Sequence, residues 1–279
     1  MSTVTLETTA DATAPADEAA LHEAWHAERE RALATEHGWL TLVALHWLPA
    51  RPTALAGLPG RWSVDADGAA RVTATPEDRL ERDGVPLDLQ ASVLVEEGKS
   101  SSELAFTAHD GTLVVVEVIR RTGRTALRVR DPRAVALAGF TGVPVGPYDA
   151  SWVLDVPVRW YDEPRPVTVG AAQPGLVHQV SAVGEVTLER DGRSATVVLT
   201  AAHDGQVALL FSDDSVDVAP WRIVVLPAGP TDATLRIDLN RAVNLPYAFS
   251  DHGTCPAPVQ GNHLPFAVPA GERRPERAS

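Results

Sequence analysis

The rhythm of hydrophobic and polar positions changes once along the chain. Before residue 38, Leu21, Trp25 and Leu33 supply an apolar side to a predicted helix, with Thr13 or Asp17 as its cap. Glu28, Arg29, Glu30 and Arg31 are expected mostly on the wet side, and Gly38 ends the helix just after His37, which suits the negative end of the dipole. Residues 39–48 form an apolar run into Pro49 that suits either a strand or a helix segment. From Gly60 onward the pattern becomes short alternating or β-branched runs separated by turn signals: Asp67-Gly68, Asp83-Gly84, Asp110-Gly111, Gly123, Asp191-Gly192 and Asp204-Gly205. Strands are predicted at 61–65, 70–75, 86–95, 103–107, 113–120, 125–130, 152–159, 176–189, 195–201, 206–211, 221–226 and 233–238.

This pattern predicts a mainly β fold: two packed β-sandwich or barrel-like halves, one N-terminal helix and an irregular proline-rich C-terminal loop. The Pro- and Gly-dense stretch 139–150 is the expected junction. It divides the chain into 15–140, the helix plus the first β half, and 141–279, the second β half with the C-terminal loop. Residues 1–14, polar and without apolar periodicity, are expected to be disordered. Ala-His-Asp-Gly at 108–111 and at 202–205 is a faint echo between the halves.

Charge and composition narrow the classes. A net charge of −13 with no basic cluster argues against nucleic-acid or anionic-lipid partners. The stretch 39–48 is about half the ~20 residues that a membrane-spanning helix requires, which predicts a soluble protein without a membrane partner. Cys255 is the single cysteine, so no intramolecular disulfide can form; with no secretory signal pattern at the start, a cytoplasmic location is expected. Composition says nothing of oligomeric state.

Four short motifs need weighing. His22-Glu-Ala-Trp-His26 matches H-E-x-x-H on the predicted helix, the spacing that puts two imidazoles on one face beside Glu23. It supports a zinc hydrolase only as a third reading, because no downstream helix offers a further ligand. Gly98-Lys-Ser100 lacks the glycine a phosphate loop needs at position 93, where Val93 stands. Asp65-x-Asp67-Gly68 reads as a hairpin turn rather than a calcium loop. Ser250, Asp251 and His252 are adjacent and cannot share one proton path. No motif implies a cofactor.

The densest group of special side chains lies in Asp238-Leu-Asn-Arg-Ala-Val-Asn-Leu-Pro-Tyr-Ala-Phe249, Thr254-Cys-Pro-Ala-Pro258 and Gly261-Asn-His-Leu-Pro265. Prolines there forbid regular helix and remove backbone donors, so an ordered irregular loop is expected. In the functional reading, Arg241 offers a planar fork to a carboxylate or phosphate, His252 or Tyr247 moves a proton, and Cys255 is a nucleophile if His252 activates it. His263 joins the ligand-binding set, and Asn240, Asn244 and Asn262 hold the loop. In the structural reading the asparagines and Arg241 satisfy carbonyls of an irregular backbone.

These segments, with Ala270-Gly-Glu272, resemble the domain of unknown function 1684 family, whose pattern runs approximately D-F-N-R-A-Y-N-P-P-C-A-F, T-C-P-L-P-P, E-N-R-L-P and A-G-E. The helix around Trp25 to Arg31, Gly38-Trp-Leu-Thr-Leu and the Leu127-Arg-Val-Arg-Asp-Pro132 strand end are also similar to it. Tyr247 stands where the family has a cysteine and His263 where it has arginine, so the resemblance implies neither a paired-cysteine role nor an activity. The first β half is similar in layout to forkhead-associated β-sandwiches, without their phosphothreonine-reading residues. The leading expectation is a small-molecule-binding protein acting on a polar or anionic metabolite beside the C-terminal loop, with metal-independent acid/base chemistry and no cofactor. The alternative is a non-catalytic β interaction module with a purely structural loop.

Overall fold

The computed structural model describes residues 15–229 and 231–277; the stretch 1–14 and the candidate cap Thr13 lie outside the described residues. Along the chain come α1 (Pro15–Leu33), β1 (Leu42–Trp47), β2 (Arg61–Val64), β3 (Ala70–Ala74), β4 (Leu80–Arg82), β5 (Val85–Pro86), β6 (Leu89–Val93), β7 (Ser100–Thr107), β8 (Leu113–Arg121) and β9 (Arg124–Arg130). The one-turn α2 (Val135–Ala138) precedes β10 (Val153–Gly170), β11 (Val177–Arg190), β12 (Arg193–Ala201), β13 (Val207–Asp213), β14 (Arg222–Leu226), β15 (Thr234–Asp238), β16 (Val243–Asn244) and β17 (His263–Leu264). The protein is mainly β with one long helix, and no described helix is long and apolar enough to cross a membrane.

The first sheets are a six-stranded one, ordered β1-β9-β8-β7-β4-β5, and a small β2-β3-β6 sheet. The second is eight-stranded, ordered β15-β10-β11-β12-β13-β14-β16, with β17 alongside β13, and it curls into a half-barrel. Two-residue turns at Asp83-Gly84, Thr122-Gly123 and Asp191-Gly192 have both residues at positive φ, the conformation that matches the twist of the flanking strands. The apolar run at 39–48 resolves into a 3-10 turn and the edge strand β1, paired antiparallel with β9.

β10 is longer than the predicted 152–159, and the reason lies in its prolines. Residues 153–157 pair with β15, whereas residues from Arg165 onward pair with β11 and, among the described residues, have no second strand on their other edge. Pro164 and Pro166 therefore sit where no second neighbour requires a donor, so they bend the strand without ending it. The predicted strand at 86–95 is shorter for a similarly local reason: Leu89 takes a positive φ and separates β5 from β6.

Three apolar clusters hold these layers. Trp62, Leu80, Leu104, Val116 and Leu127 fill the first half. Leu188, Leu199, Phe211, Ile237 and Phe266 fill the second. The third joins Leu33 of α1, Leu40, Val143 of the 139–150 stretch and Leu245, Tyr247 and Phe249 of the C-terminal loop.

Buried charge closes the second half. Arg222, fully buried, donates to the Asp213 carboxylate at 2.8 Å and to the carbonyls of Val268, Ala270 and Glu272, fastening the C-terminal strap to β13 and β14. Burial pushes the Asp213 carboxyl up, but the Arg222 charge and bonds from Ser215 outweigh it and hold it below the ordinary carboxylate range. Gly271 sits in the strap at φ +79°, where a Cβ would lie 2.6 Å from the Ala242 carbonyl.

Arg222→Met should destabilise the protein by about 3–5 kcal/mol in chemical denaturation, because Asp213 is left buried without its cation. In the wild type, the depressed Asp213 value means that its contribution is complete above the unfolded value near about 4 and is lost as the pH falls through the lower folded value. The denaturation midpoint should therefore drop on acidification below about pH 4, and drop less in Asp213→Asn.

Candidate functional site

The C-terminal loop spends most of its polar side chains on its own backbone. The buried Asn240 carboxamide accepts from Asp149 N–H and donates to the Asp149 carbonyl, both at 3.0 Å, and donates again to Asp238 at 2.8 Å. Asn244, equally buried, donates to the Arg273 carbonyl at 2.7 Å while its Oδ1 has no partner. The β12 and β13 strands pair at Thr200 and Ala201. Where their ladder gives out, the Asn262 side chain accepts from Val198 N–H and donates to the carbonyls of Val198 and Leu210, acting as a spare peptide unit.

Of the other expected site residues, Tyr247 and Cys255 share the third apolar cluster, while Arg241 and His263 have other partners. The Tyr247 hydroxyl donates to the Trp221 carbonyl and accepts from its N–H, under a stacked indole 4.2 Å away; burial pushes its ionisation far above the ordinary range. Cys255 packs against the third cluster, and burial raises its thiol despite opposing help from the Tyr247 backbone and Arg128. The half-buried His252 donates its backbone N–H to Ser250 Oγ. Arg241 is exposed, 3.4 Å from Asp238 and stacked over Trp25 of α1. His263 lies on β17 between Ser212 and Asp214. Arg241 and His263 thus serve different partners on different elements.

What the structure does bring together is a polar seam under α1. Of the expected apolar side of this helix only Leu33 is buried: Leu21 is 53% exposed and Trp25 half-buried, whereas His22 and His26 are 4% and 8% exposed. His22 Nε2 meets the Asn240 carbonyl at 2.9 Å. Arg29, expected on the wet side, donates to the Asn244 carbonyl at 2.8 Å and to the fully buried Glu272 at 3.2 Å. Glu30 accepts from Val143 N–H at 2.7 Å. The inward face at 22, 26, 29, 30 and 33 keeps helical spacing but is polar at every position except Leu33, so a hydrophobic reading found only its last residue. The polar partners on the facing backbone are what allow it.

Beside the seam, α1 and residues 145–148 border an open cleft of about 640 Å³, lined among others by His22, Glu23, His26, Glu30 and Tyr148. His26 Nδ1 is 3.8 Å from Glu30, and its buried Nε2 has no partner. Burial, then the charges of Asp238 and Glu18, raise the Tyr148 ionisation. The two imidazoles are near-parallel with centroids 6.5 Å apart, and among the described residues no group of three His, Cys, Asp or Glu is placed to hold a metal ion. The chemistry available here is hydrogen bonding and proton transfer.

The C-terminal segment pins both cleft walls. Asn240 touches His22 through its carbonyl and residue 149 through its side chain. Glu272 holds Arg29 through its carboxylate, accepts nothing less than the Asn244 N–H at 2.6 Å, and its backbone forms a β-bridge to Val145. A second charged cluster, Glu117 between Arg128 and Arg130, is also buried; Arg128 reaches Thr254 at 2.6 Å and Arg130 reaches the Gly38 carbonyl at 2.8 Å.

Residues 138–273 match the family described as "Protein of unknown function (DUF1684)". The resemblance drawn from the C-terminal motifs holds over that stretch, which contains Asn240, Asn244, Asn262, Glu272 and the 145–148 wall. Helix α1 lies outside the DUF1684 match, so one wall of the cleft comes from within it and one from outside. No curated protein matches the chain. A solution NMR structure of an uncharacterized protein from Haloarcula marismortui is similar at 21% identity, over 49% of this chain and 78% of that one, with a TM-score of 0.41.

Tyr247→Phe should lower stability by about 1–3 kcal/mol, since both Trp221 backbone groups lose their partner. With its thiol raised by burial, Cys255 should react with iodoacetamide at neutral pH more slowly than free cysteine and speed up as the pH rises. Fast labelling of the folded protein at pH 7 would instead identify an activated nucleophile.

Proposed function

We propose that the protein binds a small polar metabolite in the cleft between α1 and residues 145–148, in a cytoplasmic setting, with His26 as the group able to exchange a proton with it. One observation carries this reading: a buried imidazole with an unpartnered Nε2 lines a cleft whose two walls are both fixed by the same C-terminal residues. An unpaired buried polar atom is costly in an empty site and is relieved by a ligand that hydrogen-bonds to it. Positioning of this kind, with the side chains locked by a supporting layer, is what a binding site requires.

On this reading Asn240, Asn244 and Asn262 support the site rather than touch the ligand. That places the ligand beside the C-terminal loop, with contacts to the helix. It also moves the proton-transfer role from Tyr247 and His252 to His26, because the Tyr247 hydroxyl is already committed in both directions.

A thermal-shift screen of amines, amino acids, sugars and carboxylates tests it. A bound compound at about a hundred times its Kd should stabilise the wild type by about 2.7 kcal/mol. That stabilisation should vanish in His26→Ala and persist in Asn262→Ala, even though Asn262→Ala lowers the melting temperature of the empty protein. A shift that survives in folded His26→Ala would place the ligand elsewhere.

A further inference from the structure

The charge lining the cleft is one-sided, and this bears on the class of ligand. Its lining holds the carboxylates of Glu23 and Glu30 and neither lysine nor arginine. The cations nearest the seam are already engaged: Arg29 with Glu272 and Asn244, and Arg241 with Asp238 over the Trp25 ring. An anion entering here would give up water beside two carboxylates with no cation to compensate, which low-dielectric surroundings make expensive. A protonated amine meets the opposite situation. It brings donors only, and the cleft offers acceptors: the carboxylate of Glu23 at the rim and the Glu30 carboxylate, with the His26 imidazole beside them in the lining. The Tyr148 ring, which lines the cleft 5.7 Å from His22 between centroids, adds a π-face that favours a cation.

Resting on the cleft reading above, we propose that the ligand is a small primary or secondary ammonium compound, such as an amino alcohol, amino sugar or short polyamine, held between Glu23, Glu30 and the His26 imidazole. This narrows the expected "polar or anionic" metabolite to a polar, cationic one. Glu30 remains partly committed to Val143 N–H, so Glu23 supplies the free carboxylate and sets the charge preference.

The test uses four probes on the full chain at about 150 mM salt, where long-range attraction to an acidic protein is largely screened: ethanolamine, choline, acetate and glycerol, followed by saturation-transfer NMR. Ethanolamine should give the strongest transfer. Choline, a cation without N–H donors, should give less, and acetate none. Glu23→Gln should weaken ethanolamine binding roughly tenfold, as befits the loss of one charge-assisted contact. Glu163→Gln, an exposed carboxylate on β10, should leave it unchanged. Equal loss in both variants, or stronger transfer from acetate or glycerol than from ethanolamine, would overturn the ammonium assignment, as would the absence of transfer from all four. If acetate or glycerol binds and His26→Ala removes it, the cleft is still the site and only the ligand class is wrong. If ethanolamine binds equally well to wild type, Glu23→Gln and His26→Ala, the cleft reading itself fails.

Discussion

The Glu272 carboxylate is the contact on which the arrangement around α1 depends. It is fully buried and meets two groups on its two oxygens, the Arg29 guanidinium of the helix and the backbone N–H of Asn244 in β16. Burying a carboxylate is unfavourable unless its charge is paired and its lone pairs are filled, and here both conditions are met by two elements that Arg29 also ties directly, through its bond to the Asn244 carbonyl. The same residue bridges by its backbone to Val145, so helix, sheet edge and the 139–150 stretch converge on one residue. Replacing it with an apolar residue would leave Arg29 without its anion and Asn244 N–H without an acceptor.

A second constraint governs how the two sheet systems meet. One face of the six-stranded sheet is apolar and packs on β2 and β3 through Trp62 and Val72; the other carries Glu117, Arg128 and Arg130. Burial alone would raise the Glu117 carboxyl, but the two guanidiniums outweigh it and hold it low. Because Arg128 reaches Thr254 and Arg130 reaches the Gly38 carbonyl, this charged face is directional where an apolar one would slide. The stretch matched to DUF1684 therefore leans on residues outside it through specific polar contacts as well as through the third apolar cluster.

Much of this could be read from the residues, for identifiable reasons. Turn chemistry is local, so Asp83-Gly84 and Asp191-Gly192 announced their hairpins without knowledge of the fold. The use of asparagines to satisfy an irregular backbone was also foreseeable, since Asn240 and Asn262 lie among prolines that strip away donors. β10 was misjudged because a proline's effect depends on whether its strand has one neighbour or two, which is a property of the sheet. On the helix, Leu33 is inward as its apolar character suggests, but Leu21 and Trp25 mislead, because the partners that turn His22, His26 and Arg29 inward come from distant residues.

That distance has a consequence for biosynthesis. His22 finds its carbonyl 218 residues downstream and Arg29 its carboxylate 243 residues downstream. At ribosomal rates of roughly 5–20 residues per second, helix α1 leaves the tunnel on the order of ten to fifty seconds before its seat exists. During that interval its inward face is charged and imidazole-rich except at Leu33, so most of the waiting segment stays hydrated and gives chaperones and neighbouring nascent chains less to grip. A polar underside thus spares the emerging polypeptide a sticky intermediate.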